Sequence, residues 1–548
     1  YRSKSTNIFG NWGYNRIPYY REISQVRNYD GIKPITYNQY SLSLPLESGH
    51  TLRLGIDGFI SPKQTIGFLF TGAYHDNDGT FASKAEVSKT GQMMIDSITI
   101  SNSRFASKFS SQMFNMNYRL TISEGEDFTV DADYGRVYVR SWQNINSSFY
   151  DDNGKEYRLP SEFQYNGPRH IDIFSFKADY VNSFSEKIRM EAGIKTGKTI
   201  TDNEIVYENR RDNGIWENDK GQSNQFKYSE AVSAGYATIS YLAGKFSAMA
   251  GLRAEYTHIR GESPTLDTSF VRGYLGWFPS AYFQYQIDSK QGLNLSYSRK
   301  INRPGYFYLN PFREYIDPFT YGSGNPNLQP EYRNTVTFRY NIGGFLLNAS
   351  YGVVNDVFEK EFLQDDTNQI TQISYGNLGK REDFTLSGFA PIQIARWYTL
   401  RIYTQAVWNI VDAYYNGVHL TKSYLDSYVS LQHGWTLLPT MRVNMQMIWA
   451  SPSWQGLIAR MEKVWWIDTQ IEKSFFDRRL YLSLSCNDLF NSMIYKGIID
   501  FGNINQTFRE HHRSRQVMFS LRYSFGSQQI RGSRNRSVGI EEEMRRVK

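Results

Sequence analysis

Few residues in this chain are arranged for bond-making chemistry. Of the eight histidines, two are adjacent at His511 and His512, but none forms the Glu-spaced pair that holds zinc on one helical face. The single cysteine, Cys486, excludes a disulfide framework and a cysteine-rich metal site. No Gly-x-Ser-x-Gly elbow presents a nucleophile, and no glycine-rich loop is built to cradle phosphate. Acidic pairs stand at Asp151-Asp152 and Asp365-Asp366. Calcium takes such oxygens, but in stretches that read as loops solvated charge is the simpler account. The expectation is no enzyme, no catalytic residue, no metal site and no cofactor.

Aromatic rings are the other candidate chemistry, since the chain holds 41 Tyr, 35 Phe and 11 Trp. Those near strand ends, such as Tyr74, Tyr256, Trp408 and Trp449, fit interfacial girdles. Rings in expected outer loops have no lipid to anchor in. Among them Tyr150, Trp216, Tyr315, Phe319, Tyr321 and Trp454 are the candidates for stacking on a ligand. Packing of loop on loop is the simpler reading for most. Seven rings, Tyr306, Phe307, Tyr308, Phe312, Tyr315, Phe319 and Tyr321, crowd the connection between Arg303 and Glu331.

The elements that position these residues are strands. Val517, Phe519, Leu521, Tyr523 and Phe525 alternate with Met518, Ser520, Arg522 and Ser524. Met441, Val443, Met445, Met447 and Trp449 alternate with Arg442, Asn444 and Gln446. Phe246, Ala248, Ala250, Leu252, Ala254 and Tyr256 oppose Ser247, Arg253 and Glu255. A period of two with one apolar face is a strand signal, and helices do not read this way. At ~150 residues per domain, 548 residues would make three or four soluble units. No linker divides them, and only 40% of the residues are hydrophobic. No run approaches the ~18 apolar residues of a membrane helix, whereas a membrane β-barrel averages out as polar. The net charge of +7 is scattered, so nucleic acid is not an expected partner.

Short connections recur at Ser61-Pro62-Lys63-Gln64, Glu124-Gly125-Glu126, Phe184-Ser185-Glu186, Ala243-Gly244-Lys245, Ser289-Lys290-Gln291, Gly343-Gly344, Arg396-Trp397, Leu438-Pro439 and Asp477-Arg478-Arg479. They alternate with connections of roughly ten to thirty residues, the asymmetry of an outer-membrane barrel with short periplasmic turns and long outer loops. A tenth turn at Ser3-Lys4-Ser5 brings the expectation to about 20 strands. The fold class is therefore all-β, a transmembrane antiparallel up-and-down β-barrel. Tyr1 and Arg2 then end a preceding strand, and the open edges call for two more strands to complete a 22-strand barrel, because bare edges cannot stand in lipid. A soluble solenoid, propeller or adhesin array would put charges on both strand faces, which the apolar faces above do not carry.

Three motifs carry a resemblance. The middle of the chain holds Arg303-Pro304, then Leu309-Asn310-Pro311-Phe312, then Gly324-Asn325-Pro326-Asn327-Leu328-Gln329-Pro330-Glu331. This resembles the central barrel signature of TonB-dependent receptors. Asn487-Asp488-Leu489-Phe490-Asn491 is similar to the Asn-x-Leu-Phe element of their penultimate strand, with Asn487, Leu489 and Phe490 at the matching positions. The opening, Tyr1-Arg2-Ser3-Lys4 followed by Asn7-Ile8-Phe9-Gly10, resembles the outer-membrane β-barrel family of Bacteroidetes. Physically, Pro326 and Pro330 remove amide donors and Gly324 can take positive φ, so the run ends a loop and starts a strand.

The resemblance implies residence in the outer membrane of a Gram-negative bacterium, contact with its lipid, and active uptake of a scarce or bulky nutrient. A small molecule, glycan or peptide would be the ligand. It also implies energy delivered by the TonB complex through a plug domain not in this chain, and it admits a surface lipoprotein as partner. The opening without an initiator Met reads as part of a longer precursor. Residues 1–525 read as the barrel and 526–548 as a polar, solvated periplasmic tail with Arg531, Arg534, Arg536, Arg545 and Arg546 around Glu541, Glu542 and Glu543. A passive porin or the structural barrel of a surface complex is the alternative.

Overall fold

The computed structural model describes the chain from Tyr1 to Val547 apart from residues 2, 31–33, 93 and 526–537. Arg2 and the tail residues Arg531, Arg534 and Arg536 therefore lie outside the described residues. In chain order the strands are β1 (Thr6–Pro18), β2 (Arg21–Tyr29), β3 (Ile35–Ser61), β4 (Gln64–Lys89), β5 (Ile95–Ser123) and β6 (Glu126–Asp151). Next come β7 (Glu156–Ser183), β8 (Ile188–Arg210), β9 (Trp216–Asn218), β10 (Asn224–Ala243), β11 (Phe246–Ser263), β12 (Thr268–Gln286) and β13 (Gln291–Asn302). A helical turn, α1 (Tyr306–Leu309), and a hairpin, β14 (Arg313–Asp317) with β15 (Thr320–Ser323), precede β16 (Glu331–Ile342). Then follow β17 (Phe345–Asp365), β18 (Ile370–Ala395), β19 (Tyr398–Tyr415), β20 (Val418–Leu438), β21 (Met441–Ala450), β22 (Ser453–Gln455) and β23 (Ala459–Met461). The last are β24 (Val464–Phe475), β25 (Leu480–Asn487), β26 (Ile494–Phe501), β27 (Ile504–His512), β28 (Gln516–Tyr523) and the short α2 (Glu541–Arg545).

All 28 segments belong to one sheet. Eight of them, β2, β9, β14, β15, β22, β23, β26 and β27, sit above or beside the wall; the remaining twenty form a single antiparallel ladder from β1 to β28. Twenty wall strands are thus present, and nine of the expected short turns join the two strands foreseen; at the tenth only Tyr1 stands before the turn among the described residues, its C=O accepting from Ile8 N–H at 2.7 Å. Among the described residues β1 and β28 are each paired on one side only.

At the loop end the ends of the ladder are nevertheless bridged. Pro18 interrupts the first strand, so β3 pairs with β1 through its lower half, Leu46 to Gly58, and with β2 through Ile35 to Ser43. The far side of β2 pairs with β27, residues 21–28 against 505–512, and β27 continues through β26 to β23 and β22. Strands from opposite ends of the sequence thus close a rim above a wall that is open between β1 and β28.

Five of the ten outer connections between wall strands are shorter than the sequence indicates. Four residues join β6 to β7, four join β17 to β18 and two join β19 to β20, where connections of ten to thirty were expected. The strands run on instead: β5 alone has 29 residues. At ~3.3 Å per residue that is roughly 95 Å of strand, of which a tilted barrel's ~25 Å apolar band takes only about a third. Above that band the outer face meets water and the inner face carries small buried polar residues, Thr99, Ser101 and Ser103 at 4% exposure each, so the composition turns polar and imitates a loop. Asp151 and Asp365 consequently stand at hairpin tips, where Asp365 accepts N–H bonds from Thr367 and Asn368.

The interior is polar and the exterior apolar. On β5, Phe114 and Met116 are 47% and 46% exposed, while the neighbouring Asn115 and Asn117 are 4% and 3% exposed. On β11, Leu252 and Tyr256 face outward and Glu255 and Thr257 are buried. Tyr74, Trp408 and Trp449 are exposed on the outside too, as the girdle reading requires. The largest apolar core lies inside the barrel, where the 303–330 connection folds onto Ile173 of β7, Tyr207 of β8 and Phe226 and Tyr228 of β10.

Candidate functional site: the inward-folded loop and the lumen

The central motif forms a loop that turns into the barrel. Arg303 leaves β13 and is buried; its guanidinium donates to Glu255 Oε2 at 2.7 Å and Thr257 Oγ1 at 3.0 Å on β11. A buried guanidinium is tolerated only with such partners. Pro304 supplies no donor and its carbonyl accepts from Arg546 Nε at 3.0 Å. Asn310 N–H closes the α1 turn on Phe307 C=O, and its side-chain oxygen accepts from Phe312 N–H across Pro311.

The two limbs of the loop are tied backbone to backbone. Gly324 N–H bonds Asn310 C=O at 2.8 Å and Asn325 N–H bonds Tyr308 C=O at 2.7 Å. A Cβ at Gly324 would stand 2.4 Å from Asn310 O and 2.6 Å from Tyr308 O. Positive φ was the expected reason for this glycine; the structure gives close backbone approach instead, since Gly324 is absent from the positive-φ residues. Asn325 Nδ2 donates to Tyr375 C=O and its Oδ1 accepts from Asn327 N–H, forming the turn that Pro326 prolongs. Leu328 drops into the core, and after Pro330 the wall resumes at Glu331, which accepts from Asn302 Nδ2 at 2.8 Å.

Most of the loop's rings fasten it to the wall. Tyr306, Phe312 and Tyr321 are buried. Tyr315 meets Phe163, Tyr207 and Tyr321 at centroid distances of 5.4, 6.1 and 5.5 Å. Phe319 packs edge-on against Tyr37 at 5.3 Å. Beneath it, Asp317 accepts from Phe319 N–H and Gln39 Nε2. Burial pushes the Asp317 carboxyl above its ordinary range against those bonds, and burial likewise raises Glu314 against the pull of Arg169. Arg27, buried on β2, donates to Thr371 Oγ1 at 2.8 Å and reaches Thr320, linking loop, rim and β18.

Three cavities surround the loop. The first, of 610 Å³, includes Trp454, Tyr428, Tyr495, Phe508, Glu510 and His512. The second, of 490 Å³, shares Phe508 and Glu510 with it and adds Arg21, Glu359, Lys360, Tyr308, Phe358 and Tyr375. The third, of 680 Å³, shares Tyr308 and Phe358 with the second and is lined by Arg253, Glu255, Arg299, Lys300 and Arg303. Shared side chains give the three cavities one continuous lining, with Tyr308 and Phe358 common to the second and third. Its chemistry is aromatic and charged, suited to holding a polar molecule by stacking and ion pairing.

Of the six candidate rings, the structure brings Tyr315, Phe319 and Tyr321 together on the inward loop and places Trp454 on the first cavity, with Lys422 Nζ 3.1 Å from its ring centroid. Tyr150, near the end of β6, and Trp216, opening β9, stand in strands apart from the three cavities. Tyr308, counted among the seven crowded rings but not among the six ligand candidates, lines both the second and third cavities, and sequence reasoning gave Asp488 no role. In the second motif Asn487 ends β25, Leu489 N–H bonds Ile467 C=O, and Phe490 lies outside against Trp465. The buried Asp488 between them has φ of 42° and accepts from Ser492 N–H, Met493 N–H and the Ser514 hydroxyl. An Asp followed by Ser at the fourth position was the available signal.

Solved structures share this fold at low identity. The copper transporter OprC matches with a TM-score of 0.54 at 9% identity over 91% of this chain and 80% of that one. The ferric citrate transporter FecA in its unliganded form gives 0.52 at 9% over 90% and 78%. The ferric-catecholate import receptor Fiu from K12 E. coli, in its closed form, gives 0.51 at 10% over 90% and 82%. These relatives are transporters and receptors by name, and at such identities the likeness establishes the receptor-barrel fold. No curated protein matches the sequence. Residues 119–523 match the outer membrane protein beta-barrel family, and with an apolar outer face, a polar lumen and twenty wall strands the chain belongs to that family and resides in the outer membrane.

Proposed function

We propose that this barrel is the transport body of an active uptake receptor for a scarce or bulky nutrient, energised through TonB by way of a plug domain not formed by residues 1–548. The observation that supports this reading is the obstructed lumen. The 303–330 loop is cemented to the wall, and Tyr308 and Phe358 line both of the cavities beside it. The loop reaches several sides of the wall, β3 through Tyr37, β8 through Tyr207, β11 through Glu255 and β18 through Tyr375, and so lies across the bore. Outer-membrane lipid meets the outward apolar faces, and two further wall strands fill the gap between β1 and β28. The ligand sits between the first two cavities, where rings and the charges of Arg21, Lys360, Glu359 and Glu510 face one space.

The test is energy dependence. In cells expressing the full-length protein, uptake of its nutrient stops when the proton gradient is collapsed or TonB is deleted, while binding at the surface persists. Uptake that continues at the same rate without TonB, together with a steady open-pore conductance in planar bilayers, would instead establish a passive porin.

A further inference from the structure

The tail read as solvated does not behave so where it is described. Residues 538–547 lie inside the barrel, against β6, β8, β10 and the inward loop. Ile540 is 0% exposed, and a Cβ on Gly135 of β6 would come within 2.8 Å of its side chain. Gly539 N–H donates to Asp133 Oδ2 at 3.1 Å. Arg546 is the anchor: its guanidinium grips both oxygens of the buried Glu230, donates to Pro304 C=O, and stacks 4.4 Å from the Tyr306 ring centroid. Tyr306 N–H returns a bond to Arg546 C=O at 2.9 Å. Two looser pairs, Lys195 with Glu543 at 3.2 Å and Arg303 with Glu542 at 3.3 Å, flank it.

We propose that the inner wall carries a built site for a guanidinium-bearing peptide, and that this chain's own 538–547 segment fills it as a tethered stopper of the lumen. Without Arg546 the buried Glu230 would keep only the Tyr228 hydroxyl as a direct donor, at 2.8 Å, and a buried carboxylate that loses its ion-pair partner is costly; the site is therefore shaped for that arginine. The stopper forms part of the boundary of the third cavity through Glu542, Arg545 and Arg546, so its release enlarges that cavity. Among the described residues the 538–547 segment pairs with no strand of the ladder; side chains and single backbone bonds hold it. This inference does not depend on which nutrient the barrel carries or on TonB.

The experiment uses the full-length protein in outer membranes. With Cys486→Ser as background, Lys195→Cys and Glu543→Cys are joined by a short bis-maleimide. A high cross-linked fraction is expected. It should fall about tenfold when Arg546→Ala is added, since truncating one partner of a buried pair leaves the other unpaired. A synthetic peptide of the 536–548 sequence should compete, and its Arg546→Ala version should not. Absence of cross-linking while both cysteines react singly with maleimide, or a cross-linked fraction unchanged by Arg546→Ala, would overturn the site. In planar bilayers the cross-linked protein should conduct less than the uncross-linked one; equal conductance would overturn the stopper.

Discussion

Arg21 and Glu510 are 489 residues apart in sequence, yet Arg21 Nε donates to Glu510 Oε1 at 2.6 Å. The pair sits on the β2–β27 ladder that closes the rim, and both residues also face the second cavity. Being partly exposed, the ion pair itself contributes at most about 1 kcal/mol; the strand pairing beneath it holds the rim. Closure at the mouth is thus carried by loops and not by the membrane wall.

That division predicts separate failure of rim and wall. Thr507→Pro removes a ladder donor from a strand paired on both faces. Protease cleavage within 488–515 should rise sharply, while the protein still migrates as a heat-modifiable barrel. Arg21→Ala should change neither by more than a small margin.

Wall faces are testable by charge. Leu252→Arg puts a charge on an outward face that is 48% exposed, at a cost of about 2 to 4 kcal/mol near the membrane midplane. Asn444→Arg points into a lumenal cavity beside Gln446 and Asp468 and should assemble normally. Equal yields of folded barrel in outer-membrane fractions would reverse the face assignment.

Gly324→Ala should unseat the inward loop. Its Cβ has no room between Asn310 O and Tyr308 O, and forcing it in costs about 1 to 3 kcal/mol. The expected readout is faster proteolytic nicking inside 303–330 with the wall intact.

Ring substitutions should divide by position. Tyr321→Ala and Tyr315→Ala remove rings packed against the wall, each at about 3 kcal/mol, and should loosen the loop. Tyr308→Ala removes a ring that lines two cavities and should leave protease resistance unchanged while shifting ligand affinity by roughly tenfold, or about 1.4 kcal/mol.

Loop docking should weaken as pH rises. Burial raises the folded-state values of Asp317 and Glu314. Carboxyls raised in this way contribute stability that is full below their unfolded range and is lost as pH climbs through the folded values. Proteolysis of the loop should therefore be slower at about pH 5 than at about pH 8, and Asp317→Asn should flatten the difference.

Turns and strand parity were legible in the sequence because both are local. Pro62-Lys63 or Gly343-Gly344 makes a tight reversal wherever it stands, and alternation at Leu252 to Tyr256 fixes two faces without knowledge of a partner. The central motif was legible as loop and re-entry for the same reason. Where strands end was not, since on the upper part of β5 the buried inner face is built of Thr99, Ser101 and Ser103, and a polar inner face beside a solvated outer one leaves no apolar alternation to read. The reason for Gly324 was hidden as well, because it depends on a second limb of chain lying against it. Arg21 with Glu510 and Arg546 with Glu230 are contacts across hundreds of residues, set by closure of the rim and by the tail's entry into the lumen. The acidic and basic residues of 538–547 look the same in sequence whether water or a buried carboxylate receives them; only the tertiary structure, by placing Glu230 and Pro304 around one guanidinium, decided which.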